Sequence, residues 1–341
     1  MNDIKLFYIA DFSIEKERLL ALYQKYYGND ALQRYSERIP WYKKNGGYHL
    51  LVAEVNGEFV GQASAYKTKS IISGRIVDFF WGVDTFVLKK MRGMGIGKKL
   101  QAKLHKDLPN FSSAWYSATN GIIKKKCGAR EIFPVDFAYY PVSKFYSFII
   151  DRAVRKLFKK EIHFSLPIYQ CYNFYKGNGL KGVELNEVTF NDEIISKIHH
   201  FMEFSDYDFY FERTKDFFKW KYDENPNLKY HLFEVKIEGK TAAIFAVSHV
   251  FESKVKDGKA NVCTILDYFI DKESDITLKE LIALTIDYYK GKSKLEGIKV
   301  IGAVDFPFKH ITTMPLLSTY SGKSVNRPYL SYIDQDMEQM I

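Results

Sequence analysis

One stretch of this chain is written twice. Tyr48-His49-Leu50-Leu51 is echoed by Tyr230-His231-Leu232-Phe233, and the Asn56-Gly57 turn by Glu238-Gly239. Val83-Asp84-Thr85-Phe86-Val87 returns as Leu266-Asp267-Tyr268-Phe269-Ile270, at a nearly constant separation. Trp220-Lys221-Tyr222 precedes the second series much as Trp41-Tyr42 precedes the first. Self-similarity that keeps order and spacing while identities drift marks two copies of one folding unit. A chain of 341 residues also exceeds the size at which a single core keeps growing, so two cores are expected.

Within the first copy, Glu15 to Tyr27 carries apolar residues at helical spacing and reads as an amphipathic helix, followed by a loop through Ile39, Pro40 and Trp41. Tyr48 to Val55 and Glu58 to Tyr66 form a hairpin, because Asn-Gly adopts the positive φ angles that a type I′ turn demands. A β-rich run from Arg75 to Leu88 leads into three glycines, a helix from Gly97 to Leu108 and a strand from Ser112 to Ala118. In the second copy a helix from Thr277 to Tyr289 follows the long strand. The fold class is α/β (α+β): two tandem mixed β-sheet domains with flanking helices, spanning 1–142 and 163–341. Ser143 to Lys160 alternates apolar with basic residues. It reads as a connector helix, 143–162, packed between the domains; attachment to an anionic membrane surface is the alternative.

The charge is unevenly divided. Residues 1–150 hold 23 Lys and Arg against 13 Asp and Glu, whereas the remainder holds 27 against 28, so the net charge of +9 belongs to the first half. No acid stands between Asp84 and Asp107, and Lys89, Lys90, Arg92, Lys98, Lys99, Lys103 and Lys106 fill that interval. Such a face suits a polyphosphate cofactor as readily as a nucleic-acid backbone, the plain alternative being a solvated helix face. Cys127, Cys171 and Cys263 lie far apart, without zinc-like spacing, so neither a disulfide framework nor a metal is expected. No basic and apolar leader opens the sequence, and no run reaches the roughly 18 apolar residues of a membrane span. A cytoplasmic protein fits these features.

The segment Val87-Leu88-Lys89-Lys90-Met91-Arg92-Gly93-Met94-Gly95-Ile96-Gly97-Lys98 places glycines at alternating positions between a strand and a helix. Without Cβ atoms the backbone can approach a ligand closely, and a helix N-terminus adds partial positive charge, so a pyrophosphate is well accommodated. The spacing fits neither the P-loop nor the dinucleotide fingerprint. Arg92-Gly93-Met94-Gly95-Ile96-Gly97 resembles the Arg/Gln-x-x-Gly-x-Gly/Ala loop of the GNAT (GCN5-related N-acetyltransferase) superfamily, with its preceding strand and following helix in place. The resemblance covers roughly residues 1–140 well and the second half as a degenerate copy, in which Asp271 to Thr277 holds no glycine.

By that resemblance, the backbone amides of Arg92, Gly93, Met94, Gly95, Ile96, Gly97 and Lys98 hold the pyrophosphate of acetyl-coenzyme A. The main chain of Phe86, Val87 and Leu88 pairs with its pantetheine arm, and Asn120 bonds that arm, unless Thr119 or Asn120 serves instead as a helix cap. The implied activity is N-acetyl transfer to an amine without a metal. Many GNAT enzymes carry a glutamate on the strand before the loop. Here Asp84 is the nearest carboxylate, its other reading being a backbone contact at a bulge made by Gly82. The family's tyrosine acid has no counterpart among Lys124, Lys125 and Lys126, which leaves Tyr116, Tyr139 and Tyr140 as substitutes, Tyr116 first. His49 and His231 stand at equivalent strand positions and point to a structural role; Cys127 reads as a packing residue. The run Phe217 to Tyr222 resembles a pattern of GNAT-like proteins of bacterial envelope polysaccharides and suggests an amino-sugar acceptor. Two rivals remain: an aminoacyl-tRNA-dependent transferase of the Fem type, and a non-catalytic coenzyme-binding module.

Overall fold

The computed structural model describes residues 3–44, 47–113, 116–142, 182–205, 207–255, 258–302, 310–321 and 328. The expected connector at 143–162 lies outside them, as does Cys171. In chain order, β1 is Ile4–Tyr8 and α1 is Lys16–Tyr27. A helical stretch follows: α2 is Ala31–Gln33, Arg34–Arg38 is π-helical, and α3 is Ile39–Lys44. The strands β2 (Tyr48–Val55), β3 (Glu58–Ile72) and β4 (Arg75–Val87) precede α4 (Ile96–Asp107), β5 (Phe111–Ser113), α5 (Ala118–Lys126) and β6 (Arg130–Pro141). Then come β7 (Val183–Val188), α6 (Asp192–Glu203), β8 (Phe209–Phe211), α7 (Lys215–Phe218), and β9 (Tyr230–Ile237). The chain continues through β10 (Lys240–Ser248), β11 (Phe251–Val255), β12 (Gly258–Ile270), α8 (Leu278–Tyr289), β13 (Gly297–Ile301) and β14 (His310–Ser318).

The chain forms two compact units, neither of them one continuous stretch. The first takes residues 1–134, 207–226 and 315–329; the second takes 135–206, 227–314 and 330–341. In the first unit the strand order is β1-β2-β3-β4-β5, with the end of β14 beyond β5 and β8 against the far end of β3. Strands β4 and β5 run parallel, joined by α4. The second unit repeats the scheme as β7-β9-β10-β12-β13-β6, with β11 on β12 and a parallel pair, β12 and β13, joined by α8.

Local detail repeats as well. Asn56-Gly57 and Glu238-Gly239 both take positive φ at both positions, the type I′ geometry that matches strand twist. In each unit the register slips at two places: at Ala53/Glu54 and Gln62/Ser64 in the first, at Thr241/Ala243 and Ala246/Val247 in the second. Two faces of the first sheet are covered. Leu51, Ala53, Ala63 and Ala65 pack under Ile96, Leu100 and Leu104 of α4, and Leu50, Val52 and Phe59 pack under Leu19, Leu22 and Tyr23 of α1. This is strand alternation at work, successive side chains serving opposite faces.

Two expectations need correction. Ile39, Pro40 and Trp41, read as a loop, lie in α3 after the π-helical turn; Pro40 lacks the amide that would carry the π pattern onward. The strand expected over Ser112 to Ala118 ends at Ser113, and Ala118 already opens α5.

The matching tryptophans meet inside the first unit. Trp41 and Trp220 stack with centroids 4.8 Å apart and planes 9° from parallel. Each indole N–H donates to the other's carbonyl, at 2.7 and 2.9 Å, and both side chains are buried. Replacing either tryptophan by phenylalanine keeps an aromatic ring but leaves a buried carbonyl without its donor. Each change is predicted to cost about 1–3 kcal/mol, measured as a lower urea midpoint with an unchanged slope.

Candidate active site

The site is built on β4. Its pairing with β5 covers only Phe80 with Phe111 and Trp81 with Ser112. From Gly82 to Val87 the β5-facing edge of β4 has no strand partner among the described residues. Gly82 itself stays in register, opposite Ala65. A Cβ there would come within 2.6 Å of the Phe111 ring, so its glycine serves close packing and the bulge expected at Gly82 is absent. The bulge sits two residues on, where Asp84 and Thr85 together oppose Ala63.

Asp84 adopts φ +42°, a left-handed conformation that few residues other than glycine, asparagine and aspartate tolerate. Its neighbours hold it there. Gln62 donates to the Asp84 carbonyl at 3.1 Å, Ser64 donates to the Val83 carbonyl at 2.9 Å, and Gln101 of α4 donates to Thr85 Oγ1 at 3.3 Å. Gln62, Ser64 and Gln101 are all buried. The Asp84 carboxylate faces the other way, 3.9 Å from Arg34 of the π-helical turn. Arg34, Gln62 and Gln101 were not picked out from the sequence. A glutamine inside the apolar run Phe59 to Ala65, and another between Leu100 and Leu104, were the available signals.

Past Val87 the chain leaves the sheet through a turn at Lys89–Met91; Arg92 is extended, and its Nε donates to the Val87 carbonyl at 3.2 Å. Gly93 and Gly95 take φ +87° and +75°, with open space around the position of a Cβ. Gly95 is the N-cap of α4 and no side chain caps that helix. Its first-turn amides, through Lys98, therefore lack the partners that capping side chains supply elsewhere. Lys89, Lys90, Arg92, Met94, Lys98 and Lys99 are exposed around this turn, while Ile96 anchors the helix in the core. Phe86 and Leu88 are buried on the α1 face, with Tyr26 stacked on Phe86 at 3.8 Å. An open strand edge thus runs directly into an uncapped, basic helix N-terminus, the arrangement that suits an extended, polyanionic ligand.

Asn120 lies in the first turn of α5, and the cap of that helix is Ser117, whose hydroxyl accepts from the Asn120 amide at 3.3 Å. The capping reading of Thr119 or Asn120 is replaced accordingly. Tyr116 precedes the cap, its ring packed on Gly121, where a Cβ would come within 2.7 Å. Burial, with Glu131 adding to it, pushes the Tyr116 hydroxyl up to about 12. Tyr139 and Tyr140 are buried in β6, in the second unit. His49 meets Phe80 and Tyr8 edge-on, and burial lowers its pKa. His231 instead bonds Glu187 at 2.6 Å and stacks on His249, so equivalent positions have unlike surroundings. Burial raises the Cys127 thiol, which suits a packing residue. Among the described residues no group of three His, Cys, Asp or Glu side chains could hold a metal ion. No helix of those residues is long and apolar enough to cross a membrane.

Residues 16–115 match the family model described as Acetyltransferase (GNAT) family. The GNAT match lies within the first compact unit. The fold is similar to that of a GCN5-related N-acetyltransferase from Anabaena variabilis ATCC 29413 (11% identity, 92% of this chain and 72% of that one, TM-score 0.55). It is also similar to a probable N-acyltransferase from Enterococcus faecalis V583 (12%, 93% and 72%, TM-score 0.59). A third likeness is to the Saccharomyces cerevisiae N-myristoyltransferase with bound myristoyl-CoA (12%, 95% and 84%, TM-score 0.50). No curated protein matches the chain by sequence. At these identities the likeness is one of fold, and it takes in both units.

The first unit also contains a buried lysine. Lys124 of α5 is 2% exposed, with its Nζ 4.9 Å from the centre of the Phe111 ring. Burial holds its pKa down at about 7, and His105 beside it falls to about 4 through burial and the nearby Lys124 charge. A base whose folded pKa is depressed penalises folding fully below that value, and the penalty disappears as pH rises towards the unfolded value of 10.5. Lys124→Met is therefore predicted to raise Tm at pH 7 by several degrees or more. Thermal scans of the wild type should gain stability between pH 7 and 10, and scans of the variant should gain less.

Proposed function

We propose that the first unit binds acetyl-coenzyme A and transfers its acetyl group to an amine, and that the second unit is a degenerate copy of the first. The tandem division at about residues 1–142 and 163–341 belongs to the same proposal as a repeat of the sequence, each compact unit drawing on both sides of it. The open Gly82–Val87 edge leading into the uncapped N-terminus of α4 supports the coenzyme site above all. Phe86, Val87 and Leu88 would add the pantetheine arm as an extra strand, Arg92 giving up its bond to the Val87 carbonyl. The amides from Gly93 to Lys98 would receive the pyrophosphate, with Lys98 and Arg92 as counter-charges. Asn120 stands in the first turn of α5 as a partner for the arm. The second unit supports no equivalent. Thr277 and Glu280 form a capping box on α8, so the helix N-terminus that corresponds to α4 is already occupied by its own side chains.

The thioester supplies an activated acetyl group, and attack by a neutral amine forms the amide, breaks the C–S bond and expels the coenzyme thiolate, which takes its proton from solvent on release. Asp84 would accept the proton that the amine loses, directly or through one water. Tyr116, held near 12, would donate a hydrogen bond to the departing thiolate rather than a full proton. A thiol pKa of about 8.5 makes that transfer uphill. The amino-sugar suggestion rested on Phe217 to Tyr222, but Phe217, Phe218, Trp220, Lys221 and Tyr222 are buried in the first unit. That run packs a core, so the acceptor is proposed only as a small amine. A cytoplasmic setting belongs to the same proposal.

Titration calorimetry with acetyl-coenzyme A tests the cofactor. Micromolar binding to the wild type is expected. Gly95→Glu should weaken it at least about tenfold, through a carboxylate set against the pyrophosphate. Gly95→Ala shares the left-handed strain without the charge and should lose less. No binding to the wild type would remove the proposal and favour the tRNA-dependent alternative.

A further inference from the structure

Asp84 stands on a strained bulge, and strain of this kind persists only where the surroundings over-determine it. Its backbone is fixed from β3 by Gln62 and Ser64. Its side chain meets Arg34, the first residue of the π-helical turn, at 3.9 Å, with both side chains about one-sixth exposed. The Arg34 guanidinium is itself fixed, lying 4.6 Å over the Tyr27 ring, which packs edge-on against Phe86. From α1, Tyr23 also faces the carboxylate. Its hydroxyl is raised well above the ordinary range first by burial, then by Tyr48 and Asp84, with Tyr35 a smaller contributor. In the second unit, the corresponding Asp267 is 1% exposed and out of reach of any substrate.

We propose that Arg34 is a positioning residue for Asp84, keeping its carboxylate charged and in one place to receive the proton of the acceptor amine. Tyr27 restricts the guanidinium, so the ion pair spends little side-chain entropy. The inference rests on the acetyl-transfer reading for its catalytic meaning; the Arg34–Asp84 coupling itself can be read without any turnover.

The experiment is an NMR titration of the full chain labelled at the aspartate carboxyl carbon, with Asp84→Asn to identify the Asp84 resonance. Loss of the guanidinium in Arg34→Met should move the Asp84 midpoint upward by about one pH unit or more, a tenfold change in proton affinity. Arg34→Lys restores the charge and should return most of that shift, which a purely structural role would not produce. Arg34→Gln replaces the Met variant if that one fails to fold. An unchanged midpoint in a folded variant overturns the proposal. Calorimetry of acetyl-coenzyme A separates the two readings: Arg34→Met should bind like the wild type, whereas a wild type that does not bind removes the transfer reading and with it the catalytic meaning of the Arg34–Asp84 pair.

Discussion

The left-handed bulge at Asp84 and Thr85 is the constraint on which the first unit's chemistry depends. A bulge bends its strand and ends regular pairing, and here β4 parts from β5 just before it. The consequence is a stretch of β4 beyond Trp81 that, among the described residues, has no neighbouring strand on its β5-facing edge. Gln62, Ser64 and Gln101 hold the distortion from both sheet faces, which accounts for the burial of these three polar side chains. The glycine turn and uncapped helix that follow would have little to bind if β4 continued in register with β5.

Much of this was legible from residue types alone. The helices α1 and α4 and the long strand β4 each carry a local signature and appear within a residue or two of their expected ends; the Asn56-Gly57 hairpin also forms, but its second strand runs on past the expected Tyr66 to Ile72. The glycine loop was legible because three glycines in alternation have a narrow range of uses. What could not be read was pairing. Nothing in Phe79 to Val87 announces where β5 stops, and the bulge was assigned to Gly82 because glycine is the residue most often found at one. The real determinant lay across the sheet in Gln62 and Ser64 and, on α4, in Gln101. Arg34 was missed for the same reason: a π-helical turn has no sequence signature comparable to a cap or a hairpin.

The repeat carries the same lesson at larger scale. Order, turns and even the bulges recur between the units, yet the compact units do not follow the linear halves. Residues 207–226 and 315–329 fold with the first unit, and the chain passes from one unit to the other within β6 and within β14. A periodic sequence reveals that a unit is repeated, whereas the choice of which strand completes which sheet is made by long-range contacts. The paired tryptophans show this, since Trp220 reads as a member of the second series but packs on Trp41 inside the first unit.

The central claim is that the coenzyme site lies along the open edge of β4 and the N-terminus of α4, and nowhere in the second unit. Hydrogen–deuterium exchange with and without acetyl-coenzyme A tests this most directly, because it reports on those amides themselves. The account predicts slowed exchange over Phe86 to Lys98, with no change over Asp271 to Leu278. Protection confined to the second segment, or none along β4 and its loop under saturating ligand, would contradict it.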